Sequence, residues 1–526
     1  MKRKKQLSLA NYQLPLFILF VVFFASGCRA ISNPPRLATA TALAALPPTE
    51  TAEAIVIAAP TPTENSQQST VNNQLSMTDV QANPVLTVWV NETSAAHEAA
   101  LHEMAARFSE LNGIDVELKL VSPSLLPELV ETAVISYTLP DIIIHPLEYS
   151  VGWAEKGIFD VAATTQIMDE LGRDSFNPNA LTLVMTEAGI AAIPSDGFQQ
   201  LLIYRADWAD ERGLPPPTNY ADMLTFAESS FDLENSQTTG FVIPTESNLI
   251  STQQAFEQIA AANGCELIDA NGEVLFLDQA CLDALDFYFN IVHQFSPPGV
   301  QTDTSVRNAY LAGRTGMIMS SPTILPQLAG LDEDVAPNCA NCTVERAYLA
   351  QNSGISTQIT GLNPTRSANF GNITLLGITK EAQMETAVLF AQYWFNDGYE
   401  IWLAVESERK VPMRWGTAVT PRQFIDVWGT QPLAGSDVSL LDLYGETAVN
   451  QLRDGIATSA RWGIKQGQGK LMAELYQEMT LSIVLQEMLS GYFNPSKTII
   501  EATTRVIELI PNYPYEIDLE TSVNDN

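Results

Sequence analysis

Four histidines, five cysteines and 61 carboxylates are the groups with which this chain could do metal, thiol or acid–base chemistry. Residues 97–103 read HEAALHE, close to the zinc-protease pattern HExxH, in which two histidines four apart share one helical face. Here His97 and His102 are five apart, about 140° around a helix, so one ion cannot reach both. His145 and His293 are the remaining histidines, and no metal is expected. Residues 465–471, KQGQGKL, lack the earlier glycine and the hydroxyl after Lys470 that a phosphate loop needs. The chain has no G-x-S-x-G nucleophile elbow. A glycosidase carboxylate pair is a matter of tertiary distance and cannot be read here. The expectation is a protein without catalytic residues and without a cofactor.

The cysteines divide into one and four. Cys28 follows Lys2, Arg3, Lys4 and Lys5 and an apolar run from Leu14 to Ala25 broken only by Pro15. That run falls short of the ~20 residues a spanning helix needs and has the profile of a signal peptide. The junction Ala25-Ser26-Gly27-Cys28 resembles a bacterial lipobox, with Ala25 in place of the usual leucine. The resemblance implies cleavage before Cys28 and lipidation of that residue, hence a signal peptide over 1–27 and a membrane tether. Cys265, Cys281, Cys339 and Cys342 are an even number in an exported chain, which favours disulfides in one of three connectivities. Cys265–Cys281 brackets a short hairpin-like excursion, and Cys339–Cys342 is the CANC tetrapeptide. A redox or zinc role for CANC is the competing reading, without a second cysteine pair at zinc-ribbon spacing to support it.

These groups need a scaffold. Residues 28–82 are dominated by Ala, Thr, Pro, Ser, Asn and Gln, a composition that cannot bury enough apolar surface to fold, and read as a disordered linker. Roughly 440 residues follow, enough for two sizeable lobes. The formal net charge of −34, from 61 acidic against 27 basic residues, excludes a nucleic-acid partner. Leu86–Val90 reads as a buried strand, Leu101, Met104, Ala105, Phe108 and Leu111 as the apolar face of a helix, and residues 112–121 as a turn into an alternating strand. This βαβ unit predicts a parallel sheet. Asp141–Ile144 is a third buried strand, leading into a loop with Glu148, Tyr149 and Trp153 at the strand end where open α/β sheets bind ligands.

The segments LTVWVNE (86–92), LPDIIIHPLEYSVGWAEKGIF (139–159), IAAIPSDGFQQLLIYRADWADERGLPPPTNYADM (190–223), NAYLAGRTGMIMSSP (308–322), FGNITLLGIT (370–379) and FAQYWFNDGYEIWLAVESERKVPMRW (390–415) then occur in a telling order. Their succession, with the helical tail at 484–509, resembles the family 1 extracellular solute-binding proteins of ABC importers, the maltose-binding-protein-like group. The resemblance implies an α/β protein of the two-lobed periplasmic-binding-protein type (type II), with a ligand cleft between lobes and a helical C-terminal tail. Lobe one is expected at 83–193 plus 373–430 and lobe two at 194–372 plus 431–515, with a disordered tail at 516–526.

By position, the resemblance implies ligand contacts from Asn91, Glu92, Glu148, Tyr149, Phe198, Phe370, Arg414 and Trp415. Where sugar-binding relatives carry Gly-Pro-Trp, this chain has Ser321-Pro322-Thr323 and lacks a stacking tryptophan. The implied function is a lipid-anchored protein on the outer face of the cytoplasmic membrane, extracellular or periplasmic, that captures a small solute, a carbohydrate foremost, by lobe closure. Its partners are the solute, the permease subunits of an ABC transporter and, through the lipid, the membrane. A surface sensor or lectin using the same cleft and a secreted carbohydrate-active enzyme are the alternatives.

Overall fold

A computed structural model describes residues 83–516. The signal peptide, Cys28, the 28–82 linker and the tail beyond 516 lie outside the described residues. Among those described, most strands fall into two sheets, of six and four strands, each covered by helices to form two α/β lobes.

The first sheet is seeded by β1 (Val85–Val90), β2 (Asp115–Leu120) and β3 (Ile142–Pro146), which pair in parallel around β1. Between β1 and β2 runs α1 (Ala95–Asn112), whose start is set by Ser94 accepting the His97 backbone N–H and whose end is set by Gly113 at φ 66°. Leu101, Met104, Ala105 and Phe108 of α1 are buried as the periodicity predicts. Leu111 is 66% exposed, because α1 has turned past the sheet by its last turn.

The sheet is mixed rather than wholly parallel. β4 (Ile193–Gln199), β9 (Gly371–Ile378) and β10 (Val411–Pro412) join it in the order β10–β4–β9–β3–β1–β2, with β9 antiparallel to both β3 and β4. β9 enters from the other lobe, so it runs against the strands of the βαβ unit. The second sheet has the order β8–β5–β7–β6, built from β5 (Leu201–Arg205), β6 (Thr239–Val242), β7 (Thr315–Ser320) and β8 (Ser353–Ser356). β6 and β7 are parallel. The chain leaves the first sheet at Gln199 and enters the second at Leu201, so the first crossing is a single residue, Gln200. It returns just before Gly371.

Helices tie the lobes together. α3 (Leu147–Glu155) continues directly from β3, and α7 (Gly469–Gln477) crosses it at Gly152 and Gly469. A Cβ on Gly152 would lie 2.6 Å from the Ala473 Cβ and 2.9 Å from the Gly469 carbonyl, so the crossing requires glycine. α8 (Thr480–Leu489) packs on α4 (Ile250–Ala262) and α5 (Gln279–Phe295), and α9 (Pro495–Glu508) packs on α5 and α8. α7 therefore packs on the helix that follows β3, and α8 and α9 pack on helices beside the second sheet. α6 (Leu440–Asp454) also bridges: Gln199 donates to its Gln451 and Leu452 carbonyls, and Tyr444 donates to the Leu325 carbonyl.

Both disulfides form. Cys265–Cys281 closes a hairpin-like turn in which Ile268 and Val274 form an antiparallel bridge, and Cys339 joins Cys342. Pairing within CANC leaves neither thiol free for a metal.

Candidate ligand cleft

A cavity of about 500 Å³ opens where the two sheets face each other, within the range of about 300–1,000 Å³ usual for small-molecule sites. Its floor is made by strand ends. β1 delivers Asn91 and Glu92, β3 delivers His145, Pro146 and Glu148, and β7 delivers Ser320 and Ser321. In both lobes it is the C-terminal ends of parallel strands that point at the cavity, where backbone carbonyl rows end and loops are free to vary.

Two charge clusters flank this floor, one half-buried and one fully buried. On one side Arg409 donates from Nη2 to Glu92 Oε1 at 2.6 Å and from Nε to Glu406 Oε2 at 2.6 Å. Burial acts to lower the pKa of this guanidinium, but Glu92 and Glu406 outweigh it and hold the side chain charged. Behind it Lys410 is fully buried, its Nζ 3.3 Å from the Trp402 ring centroid and donating to the Trp402 carbonyl at 2.8 Å. Burial lowers Lys410 to about 7, with Asp196 pulling the other way. Asp196 is itself held by Trp402 Nε1 at 2.6 Å and Ser195 Oγ at 2.7 Å.

On the other side Arg461 lies between Glu148, at 3.5 Å, and Glu257 of α4, at 3.4 Å, all three buried. Arg461 also donates to the Gly371 carbonyl at 3.1 Å and covers the Phe370 ring at 4.4 Å. Burial pushes the Glu257 carboxyl up against the opposing pull of Arg461, the Trp462 N–H and the Tyr476 hydroxyl. Glu148 follows β3 of the first sheet and Glu257 belongs to the helix behind the second, so Arg461 joins the lobes at the base of the cleft. A buried triad of this kind is costly to break at any one member.

Four of the eight sequence-predicted contacts line the cavity: Asn91, Glu92, Glu148 and Phe198. The other four do not. Tyr149 is one residue further round the helix than Glu148, points into the core and stacks on Trp153 at 4.8 Å. Phe370 is fully buried beneath Arg461. Arg414 turns away from the cleft to donate to the Phe395 carbonyl and to Asn396 Oδ1, and the Trp415 backbone N–H donates to the Ser175 carbonyl. The reason is β10: it pairs at the outer edge of the sheet, so residues after it run toward Phe176 while Arg409, just before it, reaches the cavity.

Sequence reasoning also missed Arg409, Gln200 and the start of α4, where Ser251 and Gln254 line the cavity. A signal for α4 was available: its run TQQAFEQ is polar yet Thr252, Gln253, Glu257 and Gln258 are buried, which only a polar site or network explains. His97 is buried in the first turn of α1, its backbone N–H held by the Ser94 cap, while the His102 side chain is 66% exposed, so the HEAALHE histidines face apart.

With this geometry in place, the description "Bacterial extracellular solute-binding protein" is the family whose model matches residues 92–338. No curated protein sequence matches the chain. Among solved structures, an ABC transporter solute-binding protein from Thermotoga lettingae bound with alpha-D-tagatose is 19% identical and covers 81% of this chain and 100% of its own, with a TM-score of 0.62. Maltose-bound MalE3 of T. maritima, at 14% identity, covers 81% and 100% with a TM-score of 0.62. The GacH receptor of Streptomyces glaucescens, solved unliganded and with acarbose, is 16% identical and covers 82% and 99% at 0.62. At these identities the likeness establishes the two-lobed solute-binding-protein fold.

Proposed function

We propose that this protein is an extracytoplasmic solute-binding protein that captures a sugar or related polyol by closing its lobes and delivers it to the permease of an ABC transporter, tethered through lipid on Cys28. The observation that carries the reading is the cavity itself. It lies between two lobes, is lined by hydroxyl, amide and carboxylate groups set among aliphatic side chains such as Leu249, Val306 and Met319, with Phe198 as an aromatic face, and takes walls from both sheets. Such a lining suits a ligand with many hydroxyls and one flat apolar side. The solute-binding proteins similar in fold were solved with sugars or polyols, which supports the same class here. In this reading Asn91, Glu92, Glu148, Phe198 and Arg409 contact the solute, and the lobes divide close to Gln200 and Gly371.

The test is a thermal-shift screen of the full-length chain against monosaccharides, disaccharides, polyols, amino acids and polyamines. Ligand at a hundred times its dissociation constant adds about 2.7 kcal/mol to folded-state stability. A saturable shift confined to sugars and polyols supports the reading, and silence across those classes rejects it.

A further inference from the structure

At the cleft floor the guanidiniums are engaged by carboxylates, whereas a carboxylate oxygen and an amide oxygen stay open. Arg409 spends its donors on Glu92 and Glu406. Arg461 donates to Glu148 and the Gly371 carbonyl, while its Nε, 3.4 Å from Glu257, makes no hydrogen bond. The Asn91 amide donates to the Val121 carbonyl, and the Gln200 amide donates to Gln258 Oε1. Glu148 Oε1 and Gln200 Oε1, on residues of the lining that are 1% and 7% exposed, accept no hydrogen bond from the described residues, and the Asn372 amide nitrogen beside them donates none.

The charges lean the same way. Each guanidinium at the cleft is shared by two carboxylates, Arg409 by Glu92 and Glu406, Arg461 by Glu148 and Glu257. Lys410, behind Arg409, offsets only part of this, because its attraction to Asp196 outweighs its attraction to Glu92 and Glu406. Asp303 adds a third carboxylate to the lining and forms no ion pair among the described residues. A hydroxyl-only solute would supply donors but leave this negative excess uncompensated in a site partly shielded from water. An ammonium group supplies up to three donors and the missing charge together.

Building on the sugar-binding reading above, we propose that the cleft selects a polyhydroxylated ligand bearing a protonated amine, an amino sugar or aminocyclitol, with the ammonium seated against Glu148 and its hydroxyls on Gln200 and the Arg409–Glu92 pair. Ligand charge, more than ring stacking, is then the selected feature, consistent with Ser321-Pro322-Thr323 standing where a stacking tryptophan is expected.

Titration calorimetry on the full-length protein at pH 7 and low salt tests this with matched probes: glucose, galactose and cellobiose; glucosamine, galactosamine and chitosan disaccharide; and the N-acetylated form of each amine. The expected result is that an amino form binds at least ten-fold tighter than its hydroxyl partner and that N-acetylation removes the gain. Asp303→Asn, at an exposed position on the cleft wall, is expected to narrow the amine-to-hydroxyl ratio, and Glu148→Gln to abolish it if the variant folds. A neutral sugar binding as tightly as its amine overturns this inference and leaves the sugar-binding reading standing. Absence of binding by every saccharide in the set overturns this inference, and silence of the polyols as well overturns the wider reading.

Discussion

His145 shows how a single side chain at the cleft floor carries a measurable signature. Its ring is fully buried, stacked on Phe159 at 4.9 Å, with Nδ1 2.9 Å from the Pro146 carbonyl and Nε2 unpartnered. A carbonyl only accepts, so Nδ1 carries the proton and Nε2 presents a lone pair to an apolar wall. Burial lowers its pKa to about 4, against about 6.5 in the unfolded chain. Between those values the unfolded state binds the extra proton, so stability is complete above pH 6.5 and is lost as pH falls toward 4, by up to about 3 kcal/mol. His97, lowered by burial and by Lys410 and Arg409, adds a slope of the same sign. His145→Phe, which keeps the stacking, is expected to flatten the dependence of urea-unfolding free energy on pH between 4 and 6.5; an unchanged slope would show that His145 is not the group titrating. The same scale separates the residues that sequence could place from those it could not. Asn91 and Glu148 lie within two residues of strand ends that hydrophobic runs mark, whereas Arg414 and Arg409 differ in outcome only because β10 lies between them.

Elements fix which of these side chains meet. The crossing of α3 and α7 at Gly152 and Gly469 holds Glu148 at the start of α3, close to Arg461. Gly152→Ala would press a Cβ onto a backbone carbonyl that cannot yield, and the expected cost is about 1–3 kcal/mol in denaturant unfolding. If the helices separate to accept the methyl group, ligand affinity should fall with stability, since Glu148 moves with its helix. The disulfides make a second prediction at this scale. Cys265 and Cys281 are 16 residues apart, and removing their bond with paired serines should cost about 3 kcal/mol. Cys339 and Cys342 are three apart, and the same change there should cost clearly less, because a short loop has little closure entropy to lose. Equal losses in melting experiments would argue against the loop-length account.

At the scale of the whole molecule, the crossing at Gln200 and the return at Gly371 leave little chain between the sheets, and α6 and Arg461 connect the lobes on either side of it. Closure about this region predicts a smaller radius of gyration by small-angle scattering once a solute that stabilises the protein is saturating; an unchanged radius with a bound solute would count against capture by lobe closure. Local pattern was sufficient to indicate the first βαβ unit, the disulfide-bracketed turn and the order of segments that resembles solute-binding proteins, because each depends on neighbours within a few tens of residues. The antiparallel entry of β9, the packing of α7 on α3 and the Glu148–Arg461–Glu257 triad depend on residues far apart in the chain, 313 positions in the case of Glu148 and Arg461. Hydrophobic periodicity identifies which face of an element is buried but is silent on what covers it, so Tyr149 and Glu148, adjacent in sequence, could be assigned to core and cleft only once α3 had been packed against α7.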